Sequence, residues 1–553
     1  MTDVLLDKFE ELAHYFDVND LKIPDDPLLF KSILTDIAST TAKYNSKIAE
    51  QEAIIAGKDE YISQLEEQIR LLKALQYQAK SEKAKSRLGE EQYSLFNEAE
   101  MAAPEAEADQ AEKGAPKFEV KAHSRKHGVR RPIPEEYPRQ EVVLDIEDKV
   151  CACGCELTRI GEVVSEKFDI VPQRIMVIRT IRPKYACRKC EGVLDDGPTV
   201  RVAPMPPQII PQGIVTPGLL AYILINKFAD GLPFYRQQNM FDRLGVDISR
   251  ATMSGWCLRA AEACEPLLAL MLLDIRSGPL INLDETTVQV LKEPGRKNTS
   301  KSYMWVARGG QTGQPLVLFH YDPGRGGAVA QEIVGTFKGY LQTDGYAGYN
   351  ALGEREGIVH VGCMFHVRSK FVDVIKAGSK KSEGTATTVV KLISKLYEIE
   401  AMTIEEELSP DQVRQIRQSC ARPIMDEIKT LLLERQKTTP PKSLLGRAIF
   451  YALGQWSRVE HYLDDGRLRP DNNLAENAIR PFALGRKNWL FAGSPRGAHA
   501  SAAIYSLIET AKANGLNPYD YLIYVFEKIP YATCEDDLKA LLPQNFLSKN
   551  HPE

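Results

Sequence analysis

The chain has 553 residues, 43% hydrophobic and 26% charged, a globular composition with core enough for about three to five structural units. Its 70 Lys and Arg against 75 Asp and Glu leave a net charge of −5, which argues against a nucleic-acid binder unless positive charge is locally concentrated. The start, MTDVLLDKFEEL, has no basic stretch followed by an apolar one, and no apolar run reaches the roughly 18 residues of a membrane span, so neither a secretory leader nor a membrane protein is expected.

Residues 1–97 read as helical. Ile55, Ile62 and Ile69 recur at heptad spacing, and Leu65, Leu72 and Ala79 fall at the second apolar position of the heptad. The pattern predicts a coiled coil over about 55–79, and hence a homo-oligomer; an amphipathic helix packed on its own domain is the plainer alternative. Residues 98–136 divide by charge into an acidic, alanine-rich linker and then a basic arm. The arm carries Lys121, Arg125, Lys126, Arg130 and Arg131, the local concentration that overall composition conceals.

Residues 137–206 are strand-like and hold five of the ten cysteines. Cys187 and Cys190 form a tight C-x-x-C knuckle, and Cys151, Cys153 and Cys155 offer thiolates for a second half. A structural Zn²⁺ held by the knuckle and two of those three is the economical reading, against a redox pair or buried free thiols. Residues 207–277 read as helices. Ser249 can cap a helix beginning at Arg250 after the turn at Gly245, a helix-turn-helix-like arrangement with Arg250 at the start of its second helix, an ordinary helical hairpin being the plainer alternative.

From 278 to 515 the texture is α/β. The order of three strands, a helix, a strand, a helix and a strand fits a ribonuclease-H-like fold. Asp284 lies in the first strand, in LDET; Asp344 stands just beyond the fourth, in QTDGY. A long helical stretch over about 385–465 interrupts the domain before DNNLAEN, where Asp471, Asn472 or Asn473 can cap a helix bearing Glu476. From Asn477 to Ile508 there is no acidic residue, and Arg480, Arg486, Lys487 and Arg496 lie there. Arg368 and Lys370 fall on a further basic helix, in GCMFHVRSKF. Residues 516–553 form a helical tail. Two strand acids and one helix acid can hold two Mg²⁺ (or Mn²⁺) ions about 3.5–4 Å apart for phosphodiester chemistry, with the basic residues on phosphate. Glu285, next to Asp284, is expected on the opposite face of its strand and receives no role.

Taken singly these acids are weak signals. The stretches HGVRRPIPEEYPRQEVVLDI, LPFYRQQNMFDRLGVDISRATMSGW, LDET, LQTDGYAGYN, GCMFHVRSKF and DNNLAENAIRPFALGRKNWLFAGS, together with the C-x-x-C module, decide the matter. In that order they resemble the transposases of the insertion-sequence-66 type, over nearly the whole chain. The resemblance implies a DDE transposase with Asp284, Asp344 and Glu476 as its acids. It also implies double-stranded DNA, both element ends and target, as partner, small accessory proteins from the same element, and a cytoplasmic, nucleoid-associated location. CACGCEL departs from the usual C-x-x-C, and Met364 stands where many relatives have tryptophan. Two other classes compete. A glycosidase also needs paired carboxylates but gives the cysteine module and basic arm no role. A zinc-containing DNA-binding protein with an inactive nuclease-like fold would retain DNA and leave it intact.

Overall fold

The computed structural model describes residues 27–77, 175–186, 200–377 and 384–550. The described residues fall into two compact units, one made of those within Lys85–Pro206 and Asn239–Asp247, the other of the remainder. In the smaller unit, β1 (Lys184–Ala186) pairs antiparallel with β2 (Val200–Val202), and Arg182 donates to the Ala203 carbonyl at 2.9 Å. Cys151, Cys153, Cys155, Cys187 and Cys190 lie outside the described residues, as do Lys121, Arg125, Lys126, Arg130 and Arg131.

In the larger unit, α1 (Pro27–Tyr77) is a single helix of 51 residues. Next come α2 (Pro217–Phe228), α3 (Phe234–Arg243), whose last residues belong to the smaller unit, and α4 (Arg250–Ser277). Ser249 caps α4, its hydroxyl accepting from the Thr252 N–H at 3.1 Å. Buried Met253, Trp256, Cys257, Ala260, Cys264 and Leu267 make α4 a core helix.

The sheet contains β3 (Leu280–Gln289), β4 (Lys301–Gly309), β5 (Leu316–Asp322), β6 (Gly339–Gln342) and β7 (Ile358–Val361). Its order is β5-β4-β3-β6-β7; the first three are antiparallel, and β3, β6 and β7 run parallel. Crossover from β5 to β6 runs through α5 (Gly327–Val334). β4 is buried on both faces, with Met304, Trp305, Val306 and Ala307 at 1% exposure or less. At the open edge of β5, a helix continues the ladder with side chains. Thr510 of α12 (Pro495–Ala513) accepts from Val317 N–H at 2.9 Å and donates to its carbonyl at 3.0 Å, and Ser506 accepts from Phe319 N–H at 2.8 Å. An edge covered in this way cannot recruit a foreign strand.

After β7 comes α6 (Met364–Ala377), then a helical layer of α7 (Thr385–Glu405), α8 (Pro410–Ile416), α9 (Arg422–Gln436) and α10 (Leu444–Val459). Leu392, Leu396, Met425, Ile428, Ile449 and Trp456 from these helices close over Val367 and Phe371 of α6 in one core. A π-helical turn, Arg417–Ala421, joins α8 to α9 and aims Arg417 inward. Arg417 pairs with Glu400 at 2.6 Å and donates to the carbonyls of Tyr462, Asp465 and Leu468. That network fixes the chain that returns to the sheet as α11 (Asn473–Trp489) and α12, followed by α13 (Pro518–Lys528) packed on α2. Among the described residues no helix is long and apolar enough to cross a membrane.

Candidate active site

Strand register brings the two aspartates together. β3 and β6 pair in parallel, Leu280 with Tyr340, Ile281 with Leu341 and Asn282 with Gln342. Asp284 and Asp344 each stand two residues beyond that last pair, Asp284 midway along β3 where its pairing with β6 has ended and Asp344 in the turn just past β6. Asp284 Oδ1 accepts from the Glu285 N–H at 2.9 Å. Asp344 Oδ1 accepts from the Tyr346 N–H at 2.9 Å, closing a turn just past β6. Gly345 in that turn has no room for a side chain, because the Tyr451 hydroxyl occupies the place a Cβ would take.

Glu476 sits in the first turn of α11, where the positive end of the helix dipole favours a carboxylate. The amide of Asn472 fastens that helix start to the sheet. Its Nδ2 donates to the Leu283 carbonyl at 3.0 Å, and its Oδ1 accepts from Asn282 Nδ2 at 3.1 Å. Asn282 also donates to Gln342 Oε1 at 2.9 Å, and Gln342 donates to the Arg469 carbonyl at 2.7 Å. One buried amide from each of the three acid-bearing segments thus meets in a single network. Sequence reading expected Asp471, Asn472 or Asn473 to cap α11. Asn472 holds the cap position but makes no side-chain cap bond, its amide being committed to β3, while Asp471 Oδ1 accepts from Asn473 N–H at 3.1 Å. After α11, Ala492 forms a parallel bridge to Val290 at the end of β3.

The electrostatics are those of crowded carboxyls. Burial pushes Asp284 well above the usual range, and the charges of Glu285, Glu476 and Asp344 push it further. Burial, then Asp471 and Asp344, raises Glu476 to about 7. Two residues left out of the sequence reading line this corner: Cys363, its Sγ 4.0 Å from Glu476 Oε1, and His366, its Nδ1 3.7 Å from the same oxygen. Glu285 occupies the opposite face, as alternation requires, and it has a role there. It pairs at 2.7 Å with Arg325 of the β5–β6 crossover and accepts from the hydroxyl of Tyr349, which lies between β6 and β7, so both connections are tied to β3.

The basic candidates separate by partner. Arg486 donates to Thr287 Oγ1 at 3.1 Å, so part of its charge serves the α11–β3 contact. Arg496 pairs with Glu262 of α4 at 2.5 Å. Lys370 lies 5.6 Å from the Tyr451 ring centroid. Arg250 and Lys487 are exposed, and Arg368 and Arg480 are half-buried. The missed amides had a visible signal: Asn282 and Gln342 each stand two residues before an aspartate, on the same strand face.

Comparison with known proteins places this geometry in a family. Residues 212–500 match the model described as "Transposase IS66 family", and residues 148–191 the "zinc-finger binding domain of transposase IS66". Residues 506–544 match the "IS66 C-terminal element", and residues 64–142 the "Transposase C of IS166 homeodomain". Among similar proteins of Sinorhizobium fredii, "Uncharacterized protein y4qI" is 32% identical over 548 residues, 95% of this chain and 98% of that protein. "Uncharacterized protein y4jD" is 36% identical over 429 residues, 75% of this chain and 81% of its own.

Proposed function

The chain belongs to the transposase IS66 family, and on that premise we propose that it cuts the ends of its element and joins them to target DNA, with Asp284, Asp344 and Glu476 as the catalytic carboxylates of a ribonuclease-H-like domain. The observation that carries this reading is the register Asn282↔Gln342, continued by the Asn472 strap, which joins the middle of β3, the end of β6 and the start of α11. The strand order β5-β4-β3-β6-β7, antiparallel then parallel, supports the fold assignment.

The donor set suits a hard divalent cation. Burial and mutual charge both disfavour ionised carboxyls at Asp284 and Glu476, and a cation offsets both. Bound Mg²⁺ or Mn²⁺ would activate the attacking oxygen and stabilise the leaving one. Asp284 would supply an oxygen from the middle of β3, Asp344 one from the turn after β6, and Glu476 a third from a helix start that Asn472 keeps in place. In cleavage, water adds to phosphorus and loses a proton while the phosphorus–O3′ bond breaks, leaving a 3′-hydroxyl. In transfer, that hydroxyl attacks a target phosphodiester in the same way, so no external energy source is required.

The remaining parts fit the same activity. The zinc-finger match supports a structural zinc, which we assign to Cys187, Cys190 and two of Cys151, Cys153 and Cys155. The basic arm and the arginines around α11 lie along DNA, and α1 brings a second copy to the complex. Accessory proteins of the element complete the assembly. The test is Mg²⁺-dependent nicking and strand transfer with labelled terminal repeats. Asp284→Ala, Asp344→Ala and Glu476→Ala should each bind ends nearly as well as wild type and lose both reactions. A Glu476→Ala protein that still transfers strands would sink the assignment, and a wild-type protein that holds the ends intact under every metal would favour the inactive binder.

A further inference from the structure

The corner beside Glu476 is built from softer donors than the two aspartates. Cys363 and His366 stand three residues apart around the start of α6, so both side chains address one side of that helix start. Cys363 Sγ, a His366 ring nitrogen and a Glu476 oxygen all lie within 4.8 Å of one another, with His366 Nδ1 3.7 Å and Cys363 Sγ 4.0 Å from Glu476 Oε1. Zinc bond lengths of about 2.0–2.3 Å in a tetrahedron put neighbouring ligand atoms roughly 3.3–3.8 Å apart, so a small contraction suffices. Two backbone N–H groups already point at the sulfur, those of Asn472 at 3.3 Å and of His366, while burial and the charge of Glu476 keep the thiol protonated until a cation offsets them. His366 Nδ1 is buried and has no hydrogen-bond partner.

We infer that Cys363, His366 and Glu476 form a site for a borderline-soft divalent cation, Zn²⁺ above all, distinct in chemistry from the all-oxygen site of Asp284 and Asp344. The thiol gives up its proton to solvent on binding, and water fills the fourth position. Mixed sulfur and nitrogen donors select against Mg²⁺, which takes oxygen ligands and keeps much of its water. The binding claim is independent of the proposed enzyme function. Its consequence rests on that function: an ion held here engages Glu476 and withdraws it from Asp284 and Asp344, so zinc opposes Mg²⁺-driven cleavage.

The probe is Co²⁺ titrated into the purified full-length protein carrying its own zinc. Subtracting the spectrum of Cys363→Ser removes any cobalt exchanged into the cysteine-rich module. The expected difference is one equivalent showing the thiolate-to-cobalt charge-transfer band and the strong visible absorption of a tetrahedral ion. Glu476→Gln and His366→Asn should keep the band and weaken cobalt binding by at least about tenfold, as loss of a supporting metal ligand generally does. Identical spectra for wild type and Cys363→Ser would overturn the site. If the buried serine unfolds the chain, His366→Asn decides instead, and unchanged cobalt affinity there overturns it equally. Zinc should slow end cleavage by wild type and spare Cys363→Ser. A protein that binds cobalt as described yet never cleaves DNA would leave the site standing and remove the proposed function.

Discussion

A neutral histidine behind Asp344 holds the turn that carries it. His360 Nε2 is 2.8 Å from Thr343 Oγ1, and the Thr343 hydroxyl donates to the Asp344 carbonyl at 2.9 Å. Thr343 has spent its proton, so it accepts from His360, and the ring carries its hydrogen on Nε2. Nδ1 is buried without a partner, so a second proton there would meet no acceptor. Burial, followed by the charges of Arg458 and His461, pushes the imidazole down to about 4. The folded pKa lies below the ordinary value of about 6.5, so the unfolded chain protonates first as pH falls. Stability is complete above about 6.5 and is lost between there and about 4, by roughly 3 kcal/mol. Urea unfolding between about pH 7 and pH 4 should show wild type losing that much more stability than His360→Gln. Parallel profiles for the two proteins would show that His360 is not held neutral. The aspartates, weak signals singly, were singled out in sequence by the order of strands and helices around them and by the motifs LDET and QTDGY. The joining of the amides Asn282, Gln342 and Asn472 was not legible, because a polar residue looks the same in sequence whether it meets water or a partner 190 positions away, as Asn282 and Asn472 do; the spacing of Asn282 and Gln342 before an aspartate was the one trace of it, and His360 had none.

At the scale of elements, α1 has two sides. Glu67 Oε2 accepts from the Leu444 N–H at 3.1 Å, tying α1 to the start of α10, and Glu67, Gln68 and Leu71 are partly covered. The heptad residues face away from that anchor: Ile62, Leu65, Ile69 and Leu72 are 51%, 38%, 49% and 63% exposed. Four large apolar side chains left in water on one helix are the arrangement a coiled-coil partner relieves. Ile62→Glu with Ile69→Glu should shift a self-associated species to monomer in sedimentation at micromolar protein, with thermal melting of the single chain unchanged. Monomeric wild type under the same conditions, with and without DNA, would remove the seam. Helix was expected throughout this region and a coiled coil over 55–79; that one unbroken helix runs from Pro27 to Tyr77 was not legible, since residues 27–54 lack the heptad repeat. The succession of strands and helices along the chain was legible from runs of apolar residues between turns. Register was not, because a period of two assigns faces and says nothing of which residue stands opposite on the next strand.

For the whole molecule the question is how a chain of net charge −5 meets a polyanion. The acid-free run after Glu476 looked like a continuous phosphate track, yet the fold draws on it internally, Arg486 toward β3 and Arg496 toward Glu262, which is 234 residues away in sequence. An exposed ion pair such as Arg496–Glu262 is worth little in water, at most about 1 kcal/mol, so DNA can compete for that arginine, but it gains less from it than from an uncommitted one. The arm is different in sequence: Arg125, Lys126, Arg130 and Arg131 lie in a stretch whose only acid from 117 to 131 is Glu119. Each phosphate neutralised releases counterions, so the logarithm of end-binding affinity should fall with the logarithm of salt by about 0.9 per phosphate. Alanine at those four arm positions should flatten the slope by about 0.9 for every phosphate left without its cation, with affinity falling most at low salt. Arg496→Ala should change the slope by less than one phosphate's share, because it removes a phosphate ligand and also frees the negative charge of Glu262. An arm variant with the wild-type slope would show that phosphate binding lies elsewhere on the surface. An Arg496→Ala slope flatter by the full share of about 0.9 would show that DNA, rather than Glu262, holds that arginine in the complex.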